Sequence, residues 1–299
     1  MALDNSITLT TLNDPAAGAL LDITAPVRMD HQVAPLLASL PLHLWVYTNY
    51  DCNLSCSYCV VRSSPTAERR GIEMPIFQQL IDEGAEVGAT HVFLTGGEPF
   101  LLPDIFERIA YAGAKIPTTV LTNAMILPIG SRREKLDTLD RNQVSMQVTL
   151  DGAEAAAHDP FRGRGSWEKA VRGVHLLQEL GFTVYIGSTE TSANEGKLDA
   201  LRDFVAGLGI PEERHHIRPL AKRGLSEDGV DLNTENLIPE LTVNRDGIYW
   251  HPFGTEEDLL LTREMFPLRN AYEKLWDRYS ATVGVGNIPG ALPLRRGLA

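Results

Sequence analysis

The chain has 299 residues, of which 43% are hydrophobic and 22% are charged, a balance typical of a folded globular protein with one large core. Its 39 acidic and 27 basic residues give a formal net charge of -12, which opposes the phosphate neutralisation on which binding to bulk nucleic acid depends. No apolar run approaches the ~20 residues of a membrane span, and the first residues lack the pattern of a signal peptide. We therefore expect a cytoplasmic protein with no membrane partner.

Short β-rich runs alternate with helical patterns from residue 41 onward, as in βα units around a parallel sheet. Residues 1–40 show no sustained period, and we expect a leader segment there. Six strands are predicted at residues 44–48, 91–95, 118–122, 144–150, 183–189 and 215–220, and helices at 76–87, 170–180 and 194–208. The sequence thus predicts an α/β fold, a partial (β/α)6 TIM-like barrel, over residues 41–224.

The pattern changes after Gly224, and residues 225–299 are expected to form a C-terminal α+β extension. Residues 241–253 predict two strands joined at Asn244-Arg245-Asp246-Gly247, because an Asp-Gly pair suits a tight hairpin turn. Apolar residues at helical spacing predict a terminal helix at about 267–279.

All three cysteines of the chain, Cys52, Cys56 and Cys59, lie on the loop that follows the first predicted strand. Such a group is a poor disulfide framework and a good metal site in a reducing compartment. Thiolates are the ligands of iron–sulfur clusters, and three of them leave one iron of a four-iron cluster open to another ligand, as in catalytic metal sites. Zinc is the alternative, but zinc usually takes four Cys or His ligands, and His43 and His91 show no ligand spacing.

A glycine-rich segment, Thr95-Gly96-Gly97-Glu98-Pro99, ends the second predicted strand. Parallel α/β folds gather their ligand sites at such strand ends. The glycines allow close approach of the backbone to a ligand, and Glu98 can pair with an ammonium group. A Gly-Gly pair alone is more often a simple turn, so the interpretation depends on the cysteines upstream.

Polar residues also end the next two predicted strands. Asn123 follows the third strand, and Thr149 with Asp151 follows the fourth, ahead of a segment that contains Arg162. The alternatives for Asn123, Thr149 and Arg162 are a turn residue, a strand residue and a solvated loop residue.

Together, the CxxxCxxC spacing and the GGEP segment resemble the signature of the radical S-adenosylmethionine (SAM) superfamily, over about residues 43–223. The resemblance implies one [4Fe–4S] cluster whose open iron binds SAM. It also implies reductive cleavage of SAM to a 5′-deoxyadenosyl radical, which abstracts hydrogen from a substrate, and a reductase or flavodoxin-type electron donor.

The same resemblance assigns site residues but no catalytic residue. Cys52, Cys56 and Cys59 would hold the cluster, Tyr58 would pack near the adenine, Gly96, Gly97 and Glu98 would hold the SAM amino group, Asn123 and Thr149 would contact its ribose or carboxylate, and Arg162 would bind the carboxylate.

The chain is most similar to the SPASM/twitch subgroup of that superfamily, whose members mature peptides, cofactor precursors or protein side chains. Residues 241–261 resemble the start of its C-terminal extension, but no thiol lies near His251. With every cysteine used, we expect neither an auxiliary cluster nor a catalytic cysteine. His251 is interpreted as a packing residue, with a ligand or proton-carrying role as the alternative.

We therefore predict a radical SAM oxidoreductase or transferase that acts on a ribosomally made peptide or a peptide-derived precursor. One alternative is a radical reaction on a small metabolite or nucleotide. The other is a non-catalytic protein that binds a cluster or a peptide.

Overall fold

A computed structural model describes residues 42–232, 237 and 239–282, so the predicted leader segment lies outside the described residues. The strands are β1 (His43–Tyr47), β2 (His91–Thr95), β3 (Thr118–Thr122), β4 (Val144–Thr149), β5 (Val184–Glu190), β6 (His215–Pro219), β7 (Leu241–Asn244), β8 (Gly247–Tyr249) and β9 (Leu260–Thr262). The helices are α1 (Met74–Glu86), α2 (Ile105–Gly113), α3 (Arg132–Leu136), α4 (Ala155–Arg162), α5 (Ser166–Glu179), α6 (Leu198–Gly207) and α7 (Leu268–Thr282).

These strands form one sheet in the order β6-β5-β4-β3-β2-β1-β7-β8-β9. Strands β1 to β6 are parallel, each paired with the next along the chain, and helices lie between them in sequence. This arrangement confirms the predicted partial (β/α)6 TIM-like barrel with a C-terminal extension. Because all six strands run in the same direction, their carboxyl ends and the loops that follow them gather at one edge.

Successive side chains of a strand point to opposite faces of the sheet. On β1, Leu44 and Val46 are completely buried in the hydrophobic core. Trp45 and Tyr47 lie on the other face, where they line a cavity. The inner face of the sheet is therefore available for a ligand, while the outer face holds the helices.

The helix α1 shows how the outer layer forms. Proline occupies its first turn, where a missing N–H costs nothing. Phe77, Leu80 and Ile81 recur at spacings of three and four residues and are completely buried. This spacing places them on one face of the helix, against the sheet.

Two helices differ from the sequence-based expectation. The helix expected at 194–208 begins only at Leu198. The reason is that the buried Asn194 side chain donates to the carbonyl oxygens of Asp151 and Thr189, at 2.7 and 2.8 Å, and so holds a turn. The segment that leads to Arg162 is the helix α4 rather than a loop, and Arg162 is its last residue.

In the C-terminal extension the predicted hairpin is present as β7 and β8, and the predicted terminal helix is α7. β7 pairs in parallel with β1, which is the edge strand of the six-stranded barrel. The extension thus continues the barrel sheet. Of the helices within the described ranges, none combines the length and the apolar character that crossing a lipid bilayer requires.

Candidate active site

The cysteine loop follows β1 at the edge of the sheet where the parallel strands end. Backbone hydrogen bonds fold this loop back on itself. The N–H of Cys59 donates to the carbonyl of Cys56 at 3.2 Å, and the N–H of Cys52 donates to the carbonyl of Ser64 at 3.1 Å. As a result all three cysteine side chains line one cavity of about 220 Å³. We call it the central cavity; it extends from the cysteine loop between the inner faces of the strands.

The environment of the sulfur atoms suits thiolate ligands. Backbone N–H groups point at two of them, from Leu54 to Cys52 Sγ at 3.4 Å and from Ser63 to Cys59 Sγ at 3.2 Å. Burial raises the pKa of the Cys52 thiol to about 12 and raises the pKa of Cys56, although the nearby charge of Arg162 opposes the latter shift. The thiols of Cys52 and Cys56 are therefore protonated in the metal-free chain, and binding of iron would release those protons.

The donor set fits an iron–sulfur cluster. In the described part of the chain, no three His, Cys, Asp or Glu side chains converge as ligands of a single ion. A four-iron cluster does not require such convergence, because each thiolate binds a different iron atom. Three free thiols on one loop, facing one cavity, match that requirement.

The GGEP segment is joined directly to the cysteine loop. The N–H of Gly97 donates to the carbonyl of Asn49 at 2.9 Å, and that of Glu98 donates to the carbonyl of Asp51 at 3.0 Å. Gly96 adopts a φ of +144°, which only glycine tolerates without strain. Both glycines line the central cavity beside the cysteines, and their contact with SAM, which the family resemblance implies, stays a prediction.

The side chain of Glu98, by contrast, is completely buried behind the cavity wall. One carboxylate oxygen accepts from the Thr122 hydroxyl at 2.7 Å and the Phe100 N–H at 3.1 Å, and the other accepts from the Asn123 N–H at 2.8 Å. Burial raises the pKa of this carboxyl. Glu98 thus ties the ends of β2 and β3 together, a role that its sequence pattern did not indicate; contact with the SAM amino group stays a prediction.

Asn123 and Thr149 both line the central cavity. The amide of Asn123 donates to Asn53 Oδ1 at 2.8 Å, and its oxygen accepts from the Met125 N–H at 3.1 Å. Asn123 therefore links the end of β3 to the cysteine loop. Contact of either side chain with SAM remains a prediction.

Arg162 and Tyr58 also line the cavity, and a residue missed by sequence reasoning joins them. Asp151, completely buried, accepts hydrogen bonds from the Arg162 Nε at 2.7 Å and from the Tyr58 hydroxyl. The Arg162 Nε also lies 2.7 Å from the Tyr58 hydroxyl oxygen. The signal was present in the Asp151-Gly152 pair at the end of a predicted strand, but nothing in the sequence showed which partner it meets.

The cavity is also lined by residues that sequence reasoning did not assign to the site: Trp45, Gln147, His216, Arg218 and Glu240. A signal for some of them exists in the strand period. Gln147 and His216 each precede another lining residue by two positions, and such pairs share one face of a strand.

His251 is buried and lines the central cavity. Its Nδ1 accepts from the Phe253 N–H at 3.2 Å, and the two rings stack with centroids 5.0 Å apart. Burial lowers the pKa of His251 to about 4, although nearby Glu240 opposes that shift. The ring is therefore neutral at physiological pH, and its packing agrees with the sequence-based interpretation.

A barrel of parallel strands with three cysteines and a Gly-Gly backbone at one end of its cavity defines a class of SAM-dependent iron–sulfur enzymes. The family described as Radical SAM superfamily matches residues 46–192, and the chain therefore contains a radical SAM domain. A [4Fe–4S] cluster and SAM are the cofactors that characterise it.

Two relatives and one solved structure illustrate the similarity. A mycofactocin maturase from Mycolicibacterium smegmatis is 31% identical over 230 residues, which cover 76% of this chain and 55% of that protein. An AdoMet-dependent heme synthase from Nitratidesulfovibrio vulgaris is 32% identical over 153 residues, which cover 50% of this chain and 40% of that protein. The chain thus spans about half the length of these relatives.

The solved structure is native anSMEcpe with bound AdoMet and a Cp18Cys peptide. It superposes with a TM-score of 0.62 at 14% identity, over 82% of this chain and 84% of that one. At this level of identity the likeness concerns the fold. The superposition covers 82% of the chain and therefore more than residues 46–192, which the family matches.

Proposed function

We propose that this chain cleaves SAM reductively at a [4Fe–4S] cluster and removes a hydrogen atom from a peptide or peptide-derived substrate. The observation that carries the proposal is that three free thiols and the Gly96-Gly97 backbone face one cavity at the carboxyl end of a parallel barrel. When bound, the cluster supplies the electron that breaks a sulfur–carbon bond of SAM.

The chain's own residues would prepare the site in three ways. Cys52, Cys56 and Cys59 would hold the cluster. The hydrogen bonds from the GGEP segment to the cysteine loop would fix the cysteines relative to the strand ends. The Asp151 carboxylate, by pairing with the Arg162 Nε, would orient the rest of that guanidinium at the cavity wall, where a planar fork of donors suits a carboxylate ligand.

A peptide is the favoured substrate class. One relative is named a maturase, and the anSMEcpe structure contains a peptide. The hairpin β7–β8 extends the barrel sheet beside the cysteine loop. A flavodoxin-type reductase is the proposed electron donor.

A small-metabolite substrate is the second candidate, and a specific observation favours it. The relative that shares 32% identity is named a heme synthase. The two candidate substrates differ in whether the carbon that loses hydrogen belongs to a peptide chain or to a small molecule.

The first experiment tests SAM cleavage. The purified chain is reconstituted with iron and sulfide without oxygen, and 5′-deoxyadenosine is measured after addition of SAM and a reductant. We expect a four-iron cluster and 5′-deoxyadenosine in the wild type, and loss of both in Cys56→Ala. Ser57→Ala is the matched control, because Ser57 is exposed on the same loop. A cluster without 5′-deoxyadenosine would support a non-catalytic protein instead.

The second experiment separates the substrate classes. The active enzyme is incubated with the short peptides encoded beside its gene, and in parallel with porphyrin precursors. A mass change in a peptide that tracks 5′-deoxyadenosine formation supports the first candidate. A change confined to the porphyrins supports the second.

A further inference from the structure

A carboxylate lies at the deep end of the central cavity, away from the cysteines. Glu240, which precedes β7, accepts hydrogen bonds from the Trp45 Nε1 and from the His43 Nδ1, the latter at 3.3 Å. Both contacts fall on Oε2. Oε1 receives no hydrogen bond from the described residues, so the carboxylate keeps unused acceptor capacity at the cavity wall.

The position of Glu240 along the barrel follows from its partners. Trp45 is two residues before Tyr47, the last residue of β1, and the cysteine loop begins after that strand. A strand rises ~3.3 Å per residue, so Trp45 lies about 7 Å below the carboxyl edge of the sheet. A long side chain that enters from the cysteine end can span that depth with its terminal group at Glu240.

The charge balance at this end of the cavity favours a cation. Glu240 is the sole carboxylate among the described residues that line the cavity. Its side chain is only 13% exposed. Burial would raise the pKa of Glu240, but the hydrogen bond and charge of His43 and the hydrogen bond from Trp45 lower it, so the group is ionised at neutral pH.

Among the described residues, no lysine or arginine forms an ion pair with Glu240. His251 is neutral at pH 7, as its low pKa of about 4 requires. Arg218 lines the same cavity, and the hydrogen bond that the structure gives its side chain runs to the Thr189 hydroxyl at 3.5 Å. Among the described residues, the sole ion-pair contact of Glu240 is with His43. A cationic ligand at the free Oε1 would add a charge-assisted hydrogen bond to this buried carboxylate.

We infer that Glu240 binds a cationic nitrogen group of the substrate, an ammonium or a guanidinium, at the base of the central cavity. The inference rests on the proposed function, because it assigns a specificity-determining residue to the same site. The substrate class it selects is a peptide or small molecule with a basic side chain or a primary amine. Oε1 would accept the N–H bond, while Trp45 and His43 hold Oε2 in place.

The test measures probe binding to the reconstituted protein with SAM, by isothermal titration calorimetry. The probes are N-acetyl-argininamide with its neutral counterpart N-acetyl-citrullinamide, N-acetyl-lysinamide with N-acetyl-norleucinamide, and glycinamide as a primary amine. We expect the wild type to bind at least one cationic probe about ten-fold more tightly than its neutral counterpart, as a charged hydrogen bond allows. The three arms distinguish a guanidinium, a side-chain ammonium and a terminal amine.

Glu240→Gln should abolish that preference, because an amide keeps the size and an acceptor oxygen but removes the charge. Glu257→Gln is the matched control on the same extension, since Glu257 is exposed and pairs with Arg263, and it should keep the preference. If Glu240→Gln does not fold, Glu240→Asp, which keeps the charge, should fold and retain a preference for the cation.

Three results would overturn the inference: no cationic probe binds the wild type, the neutral counterparts bind equally well, or Glu240→Gln keeps the wild-type preference. Failure of the proposed function is seen separately, as wild-type protein that forms no 5′-deoxyadenosine. Binding is measured without turnover, so each proposal can fail while the other stands.

Discussion

The Nε of Arg162 lies 2.7 Å from Oδ2 of Asp151, and the two side chains are 8% and 1% exposed. The pair joins the last residue of α4 to the loop after β4, beside Tyr58 on the cysteine loop. Burial alone would raise the pKa of Asp151, but the charges of Arg162 and His158 lower it, so the carboxylate is ionised. The Asp151 carboxylate therefore holds two side chains of the cavity wall, Arg162 and Tyr58, in position.

Asp151→Ala should destabilise the fold strongly. It leaves the Arg162 guanidinium buried without its partner, and removal of one member of a buried ion pair costs about 3–5 kcal/mol. Urea unfolding monitored by circular dichroism measures the change in the free energy of unfolding. Asp199→Ala is the control, because Asp199 pairs with Arg202 on the exposed face of α6, and no measurable loss is expected. A loss for Asp151→Ala no larger than that of the control would contradict the role of the pair.

Gly97→Ala should lower both stability and cluster content. A Cβ at Gly97 would collide with the carbonyl of Asp51, and the neighbouring atoms of Tyr50 and Asp51 are backbone too, which leaves little room to adjust. Overpacking of this kind costs about 1–3 kcal/mol, and relief of the clash would displace the cysteine loop. The iron-to-protein ratio after reconstitution measures the effect. Gly207→Ala, where a Cβ meets nothing within 4 Å, should load iron like the wild type. Equal loading of both variants would contradict the prediction.

Glu98→Gln tests whether that residue is a structural link. An amide nitrogen must replace one of two oxygens that now accept from the Thr122 hydroxyl and the Phe100 and Asn123 N–H groups. A donor would then face a donor, and we expect a loss of about 1–3 kcal/mol in unfolding free energy. Thermal unfolding of the apoprotein measures it, with the exposed Glu68→Gln as the reference. Unchanged stability with weakened SAM binding would instead favour the predicted contact with the SAM amino group.

The free energy of unfolding should decrease as the pH is lowered from about 6.5 to about 4. Burial lowers the pKa of His91 to about 3 and that of His251 to about 4. Within this window the unfolded chain binds protons that the folded chain does not, so the free energy of unfolding rises with pH, by at most about 1.4 kcal/mol per pH unit for each such histidine. Urea unfolding at several pH values gives the slope.

His251→Gln should flatten that slope, because it removes one of the buried imidazoles. His175→Gln serves as the control, since it removes an exposed histidine and leaves the buried ones in place. A slope for His251→Gln equal to that of the wild type would show that His251 is already protonated in the fold.

Sequence reasoning reached the barrel because its strands carry strong local signals. The runs at 91–95 and 118–122 coincide with β2 and β3, since both contain β-branched residues. The start of α6 was wrong because Asn194 bonds to the carbonyl of Asp151, far away in sequence. The short α4 was missed because Pro160 lies inside it, and proline normally argues against a helix interior.

In the candidate site, too, sequence reasoning identified the residues with local signals and missed those whose role depends on distant partners. The cysteines and the glycines were found because they are contiguous motifs. Asp151 and Glu240 were not assigned, because their meaning depends on Arg162 and Trp45, which reach them only through the fold. A carboxylate at a strand end has no local feature that distinguishes a buried partner from a solvated one.

The parallel pairing of β7 with β1 determines where this protein can be shortened. If the chain were cut at residue 224, one side of β1 would lose its neighbour and expose a row of free N–H and C=O groups. Such an open border templates pairing with other molecules and promotes aggregation. A trimmed version intended as a minimal catalyst would therefore precipitate, and engineering of the barrel must carry the β7–β8 hairpin with it.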